Sequence, residues 1–275
     1  MTRWEKQKKV VDATIAPVIR QSLVQDLNQI GLGTEDIVVV HSSLSRIGWV
    51  VGGPVTVIKS LMDVVTESGT LVMPTHTSGN SEPTHWAAPP VPVDWWPIIR
   101  AEMPAYKPSI TPANSVGIIP ETFRRFSNVF RSKHPQASVA AWGTHAKEIV
   151  KTHRLEMTFG VDSPWDRLYD LDSKVLLIGV DYSSNTSLHL AEVKAALQNH
   201  PKELQGAAVY EKGERMWKSW TEIQYYFEDF PQIGHAFEEL IEYQPGTIGQ
   251  AESRLLSMRA LVDFAVNWLH ENRKY

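Results

Sequence analysis

Two short apolar runs, residues 37–40 (IVVV) and 70–73 (TLVM), flank a stretch with helical spacing at residues 54–66. In that stretch Val57, Ile58, Leu61, Met62 and Val65 fall on one side, and Pro54 suits a first helical turn. Strand–helix–strand order of this kind implies parallel strands joined by a right-handed crossover. A third apolar run, residues 174–180 (KVLLIGV), leads through a polar turn into a helix opening near Thr186 or Ser187. The pattern predicts an α/β fold with a central, mostly parallel sheet. Residues 206–223 alternate apolar and polar around Lys212–Gly213, which predicts a hairpin, and an antiparallel extension is expected near residues 206–255.

The rest of the chain is read the same way. Spacing of Ile15, Val18, Ile19, Leu23, Leu27 and Ile30 predicts a helix over residues 14–30, closed by Gly31 and Gly33. Strand pieces are expected at Val129 and residues 137–141, and helices at 144–151, 163–168, 237–241 and 258–269. Residues 74–120 carry ten prolines and no clear period. A loop of that length is uncommon unless it is functional, and Trp86, Trp95, Trp96 and Tyr106 predict that it packs down. The whole chain, residues 1–275, reads as one unit with this Pro/Trp-rich insert at about 74–120.

Composition narrows the chemistry. No cysteine is present, so disulfides and thiolate catalysis are excluded. A cysteine-free chain with a net charge of −4 fits the cytoplasm and argues against nucleic acid as a partner. The start, MTRWEKQKKVVD, has basic residues without an apolar stretch after them and does not read as a secretory signal. No run approaches the roughly 20 apolar residues of a membrane span. The expected partner is a small molecule, and a homodimer is open.

Candidate chemistry clusters in two places. The first is residues 181–192, DYSSNTSLHLAE, where His189 falls in a first helical turn just beyond a buried strand. Ligands of α/β proteins sit beyond the carboxyl ends of the strands. A helix N-terminus disfavours an imidazolium, and Glu192, three residues on, favours it. Five His-x-x-Glu pairs occur (His145/Glu148, His153/Glu156, His189/Glu192, His200/Glu203, His235/Glu238), and only position singles this one out. The second place is residues 40–53, VHSSLSRIGWVVGG, joining a strand to the Pro54 helix. Its hydroxyls, Arg46 and glycines make a workable phosphate nest, although it is neither a GxxxxGK[ST] loop nor a GxGxxG fingerprint. His41 opens this loop, and His134 is a second histidine that would shape a site. His76 and His85 have no metal-ligand motif around them, and no metal is expected. No G-x-S-x-G elbow occurs, which argues against a serine hydrolase.

Taken in order, HSSLSRIGWVVGG, the Pro-rich insert, TPANSVGIIPE, RSKHPQASVAAWG, SPWDRL, NTSLHLAE, DFPQIGHAFE and LVDFAVNWL resemble the aminoglycoside 3-N-acetyltransferases. The likeness spans residues from about 14 to 270. It implies a single three-layer, sandwich-like α/β domain and acetyl-CoA as co-substrate. It implies that CoA binds His41, Ser42, Ser43, Leu44, Ser45, Arg46, Ile47, Gly48, Val50 and Gly53, with Ser115 beside the thioester. It also implies His189 as general base and Glu192 as its carboxylate partner. Asp181, Glu228 and Asp229 are expected to meet a polycationic acceptor. The expected reaction is direct acetyl transfer, in a ternary complex, to the 3-amino group of an aminoglycoside. Alternatives are an endogenous amine as acceptor, or a CoA-binding protein without catalysis.

Overall fold

Strand β1 (Ile37–Ser42) lies at the middle of a seven-stranded sheet, with β2 (Thr70–Pro74) on one edge and β5 (Lys174–Ile178) on the other. The computed structural model describes residues 2–275. β1 runs parallel to both neighbours, with Val38 opposite Leu71 and Val39 opposite Val175. The parallel pairing stops at these three strands. β3 (Phe130–Arg131) and β4 (Val139–Gly143) extend one side, and β8 (Gly246–Ile248) and β9 (Ala251–Ser257) the other, all antiparallel. The order is β3-β4-β2-β1-β5-β9-β8. The expected antiparallel extension is present as β9 and β8 beyond β5, while β6 (Lys202–Glu211) and β7 (Glu214–Ile223) form a hairpin that stands as a separate two-stranded sheet. The hairpin turns at Lys212–Gly213, both with positive φ (52° and 88°), which matches the twist of the flanking strands.

Successive strand residues point to opposite faces, and this chain is apolar on both. Val38 and Val40 pack with Leu71, Met73, Ile58 and Leu61, under the Pro54–Val65 helix. Val39 packs with Val72, Val175, Trp165 and Leu261, under the Met258–Asn272 helix. Two cores on two faces of one sheet make three layers, the sandwich expected from the resemblance.

The helix expected over residues 14–30 begins only at Arg20 and runs to Gln29. Pro17 is the reason. It lacks an N–H, and its ring would clash with the carbonyl four residues back. Residues before Arg20 are extended instead. Val18 N–H donates to the Trp49 carbonyl (2.9 Å), and Val51 N–H donates to the Val18 carbonyl (2.9 Å). Ile15, counted into an apolar face by spacing, is 94% exposed. A helix not anticipated precedes it, Arg3–Ala13, started by a capping box. Glu5 N–H donates to the Thr2 hydroxyl (3.2 Å), and Thr2 N–H donates to the Glu5 carboxylate (2.7 Å).

The Pro-rich insert forms short turns of helix, among them Pro83–His85, Val93–Trp95 and Trp96–Glu102. Polar side chains pin it. The Asn80 amide donates to the Ala208 carbonyl (3.0 Å) and accepts from Ala208 N–H (2.9 Å), tying the insert to β6. Arg131 donates to the carbonyls of Thr75 (2.7 Å), Pro108 (3.2 Å) and Thr111. Tyr106 packs down as expected, whereas Trp95 is 55% exposed.

Candidate active site

Because β1, β2 and β5 are parallel, their carboxyl ends, Ser42, Pro74 and Ile178, meet at one edge of the sheet. A cleft of about 2290 Å³ opens there. Among the segments that meet on its wall are the Arg3–Ala13 helix, the residue 40–53 loop, the Ser115 segment, and the stretch holding Val180, Ser183, Thr186 and His189. Expected cofactor residues His41, Ser42, Ser43, Leu44, Ser45, Arg46, Gly48, Val50, Gly53 and Ser115 all line it. Ile47 does not: its side chain is fully buried in the core beneath the loop. The loop is a short helical turn, Leu44–Ile47, followed by Gly48 at φ 105°. That φ is one that other residues rarely adopt, so glycine is favoured there, and a Cβ would in addition stand 2.8 Å from Gln250 Oε1.

His189 lies in the first turn of the helix Leu188–Ala195. Its Nδ1 is 2.6 Å from Glu192 Oε2. The other His-x-x-Glu contacts are looser, 3.3 Å for His145/Glu148 and 3.4 Å for His235/Glu238. Burial separates them further: the Glu192 side chain is 0% exposed, against 51% for Glu148 and 13% for Glu238. A carboxylate held in water is worth little to an imidazole; one held in the interior is worth more, because its field is unscreened. The ring is held between Phe159 (4.7 Å between centroids), Phe230 (4.9 Å) and Tyr225 (5.2 Å). With Nδ1 engaged, Nε2 is the free nitrogen of a side chain that lines the cleft.

A buried carboxylate needs partners. Glu192 Oε1 accepts from Tyr226 N–H (3.0 Å) and from the Arg273 guanidinium. Arg273 also donates to Asp229, from Nε to Oδ2 at 2.8 Å and from a terminal nitrogen to Oδ1 at 2.5 Å. Burial opposes the guanidinium's charge, but hydrogen bonds to Asp229 and Glu192 outweigh it and raise its proton affinity above that of an ordinary arginine. Sequence reasoning missed Arg273, which stands 81 residues from Glu192.

The structure scatters the expected substrate carboxylates. Asp229 is committed to Arg273. Asp181 is exposed and accepts from Ser183 N–H (3.0 Å), capping a short helical turn. Glu228 is exposed and accepts from Phe227 N–H (3.1 Å). None of the three lines the cleft, although Ser183 and Phe227 beside them do.

The cleft floor holds a polar group that spacing could not disclose. His41 Nε2, Ser42 Oγ and His76 Nε2 are buried without a hydrogen-bond partner. Burial pushes His41 and His76 down to about 3, and the nearby imidazoles His189 and His41 push His76 the same way. His134 lies outside the cleft. Its Nδ1 accepts from Ala137 N–H (3.0 Å), and its Nε2 contacts the Thr158 hydroxyl (3.2 Å), which also donates to Glu222 (2.9 Å). Burial lowers His134 to about 4 and holds His153 well below the usual range.

These four imidazoles make the fold sensitive to acid. Their folded affinities for protons are depressed, so the unfolded chain binds protons first, below about pH 6.5. Stability is therefore full above that pH and falls as the pH drops toward 3–4, the folded values of His41, His76 and His134. Urea midpoints should decline between pH 7 and pH 5, before most carboxylates titrate. A flat midpoint over that window would show that the imidazoles are not held neutral.

The family profile described as "Aminoglycoside 3-N-acetyltransferase" matches residues 39–270. The chain belongs to this family. The SPbeta prophage-derived aminoglycoside N(3')-acetyltransferase-like protein YokD of Bacillus subtilis (strain 168) is 44% identical over 266 residues, 96% of this chain and 97% of YokD. Its crystal structure covers 98% of this chain and all of that one, with a TM-score of 0.92. Aminoglycoside N(3)-acetyltransferase VII of Streptomyces paromomycinus is 36% identical, over 93% of this chain and 92% of its own length. The structure described as AAC-IIIb binary with CoASH is 29% identical, with a TM-score of 0.82, covering 93% of this chain and 97% of that one. The family is one of acyltransferase enzymes. Among the described residues, no helix is long and apolar enough to cross a membrane.

Proposed function

We propose that this protein transfers the acetyl group of acetyl-CoA to an amino group of an aminoglycoside, the 3-amino group of its 2-deoxystreptamine ring. One observation carries the reading. The 2.6 Å His189–Glu192 contact leaves Nε2 free on the wall of the cleft that the residue 40–53 loop also lines. AAC-IIIb, at 29% identity, has been solved with CoASH, and the S. paromomycinus relative is named for aminoglycoside N(3)-acetylation.

The donor set fits CoA. Lys6, Lys8, Lys9 and Arg46 line the cleft against a single carboxylate, Asp12, in a chain whose net charge is −4. A cationic cleft in an acidic protein suits a ligand carrying several phosphates. The loop and the Pro54 helix N-terminus take the pyrophosphate, and Ser115 stands beside the thioester.

His189 Nε2 accepts the proton that the acceptor's neutral amine loses as its nitrogen attacks the thioester carbonyl. Glu192 fixes the ring with Nδ1–H toward itself and stabilises the imidazolium that forms. Collapse of the tetrahedral adduct forms the amide, breaks the carbon–sulfur bond and releases CoA as thiol. The chain has no cysteine to carry an acyl group, which favours direct transfer in a ternary complex. Asp181 and Glu228, exposed beside cleft-lining residues, meet the acceptor's remaining ammonium groups. Asp229 contributes by holding Arg273. A cytoplasmic location, where acetyl-CoA is made and used, fits this chemistry.

The test is thiol release from acetyl-CoA against a panel of aminoglycosides and small amines. Release is expected with acceptors bearing a free 3-amino group and is expected to vanish when that group is blocked. Release with simple amines alone would move the acceptor to another class. Acceptor KM should rise with added salt, since partly exposed ion pairs are screened; a salt-independent KM would remove Asp181 and Glu228 from the site.

A further inference from the structure

The family profile begins at residue 39, yet the Arg3–Ala13 helix lines the same cleft as the residue 40–53 loop. The helix is fastened to that loop at its C-terminal end. Trp49 N–H donates to Thr14 Oγ1 (2.8 Å), and Val18 bridges to Val50 in parallel. Gln250 links the two as well: its side chain donates to the Ala13 carbonyl (3.1 Å) and its backbone N–H to the Ile47 carbonyl (2.9 Å).

Its charges are unevenly committed. Lys8 is paired with Asp12, Nζ to Oδ2 at 2.7 Å. Lys6 and Lys9 line the cleft, and neither has an ion-pair partner among the described residues. They stand three residues apart, so they share one helix face. Two unpaired ammonium groups on one face mutually repel unless an anion lies between them. CoA carries two separate anionic groups, a pyrophosphate and a 3'-phosphomonoester that is close to a dianion at neutral pH. The loop and the Pro54 helix account for the first; Lys6 and Lys9 are the remaining uncommitted lysines on the cleft wall.

We propose that Lys6 and Lys9 form a second phosphate site, which takes the 3'-phosphate of CoA and makes the N-terminal helix part of the cofactor site. This rests on the reading that CoA occupies the cleft. Lysine suits such a group, acting as a point charge on a flexible stem rather than a rigid fork. The contact is partly exposed, so it discriminates between nucleotides instead of supplying most of the affinity.

The experiment is calorimetric titration of CoA and of 3'-dephospho-CoA into the wild-type chain and into the double variant K6Q/K9Q. Glutamine keeps helix propensity close to that of lysine, so the helix is retained. The wild type is expected to bind CoA about tenfold more tightly than 3'-dephospho-CoA, the scale of two exposed charge pairs. The double variant is expected to bind CoA about tenfold more weakly and 3'-dephospho-CoA unchanged, which erases the preference. Added salt should shrink the wild-type preference and leave the variant alone. Equal binding of both nucleotides by the wild type overturns the proposal, as does a preference that survives in K6Q/K9Q. A wild-type chain that binds neither nucleotide overturns the functional reading itself, and the proposal with it.

Discussion

Replacing His189 with alanine should lower turnover about 10²–10⁴-fold while leaving CoA affinity within a few-fold of wild type, because proton acceptance and phosphate binding lie on different segments. The free Nε2 is the proton acceptor in this reading, and nothing near it on the cleft wall is equipped to replace it. His41 and His76 are the nearest alternatives, but burial holds both at about 3, too weakly basic to take a proton from an attacking amine at neutral pH. A Glu192→Gln variant tests the partnership: combined with His189→Ala it should cost little more than His189→Ala alone, since residues acting as a unit are not additive. Turnover within a few-fold of wild type in a folded His189→Ala protein would remove this residue from the chemistry.

How much of this could be read from the chain follows from how far apart the partners are. β1, β2, the Pro54 helix and the hairpin turn were legible, because periodicity and the Lys212–Gly213 pair are local signals. His189's place in a first helical turn was legible for the same reason. Spacing alone overextends the helix over residues 14–30, because it carries no signal for the break that Pro17 imposes, whereas the Thr2–Glu5 capping box is a local signal that starts the preceding helix. Other features had no local signal. Arg273 meets Glu192 only after the Met258–Asn272 helix has returned to the sheet. Asp229 looked like a substrate contact by its neighbours in sequence, but its partner lies 44 residues on. The orphaned nitrogen of His76 beneath the cleft appears only once β1 and β2 are side by side.

Replacing Arg273 with methionine should cost the fold about 3–5 kcal/mol and impair turnover as well. Removing one partner of a buried ion pair leaves an uncompensated charge, which is far more expensive than the pair was beneficial. Here two carboxylates lose their cation at once. Glu192 is fully buried and would keep only Tyr226 N–H and the His189 ring; Asp229 is partly exposed and can recover water. The loss therefore falls mainly on Glu192, the carboxylate that holds the His189 ring, so the rate falls with the stability. A loss of that size is a large share of the 5–15 kcal/mol that holds a typical domain together. Arg273→Lys should recover little, since an ammonium group cannot span two carboxylates as a planar fork does. Urea unfolding and turnover, measured together, check this. If Arg273→Met stays within about 1 kcal/mol of wild type, the scale of an exposed pair, and keeps its rate, Glu192 is held by its other contacts alone, and Arg273 serves only to fasten the C-terminal residues.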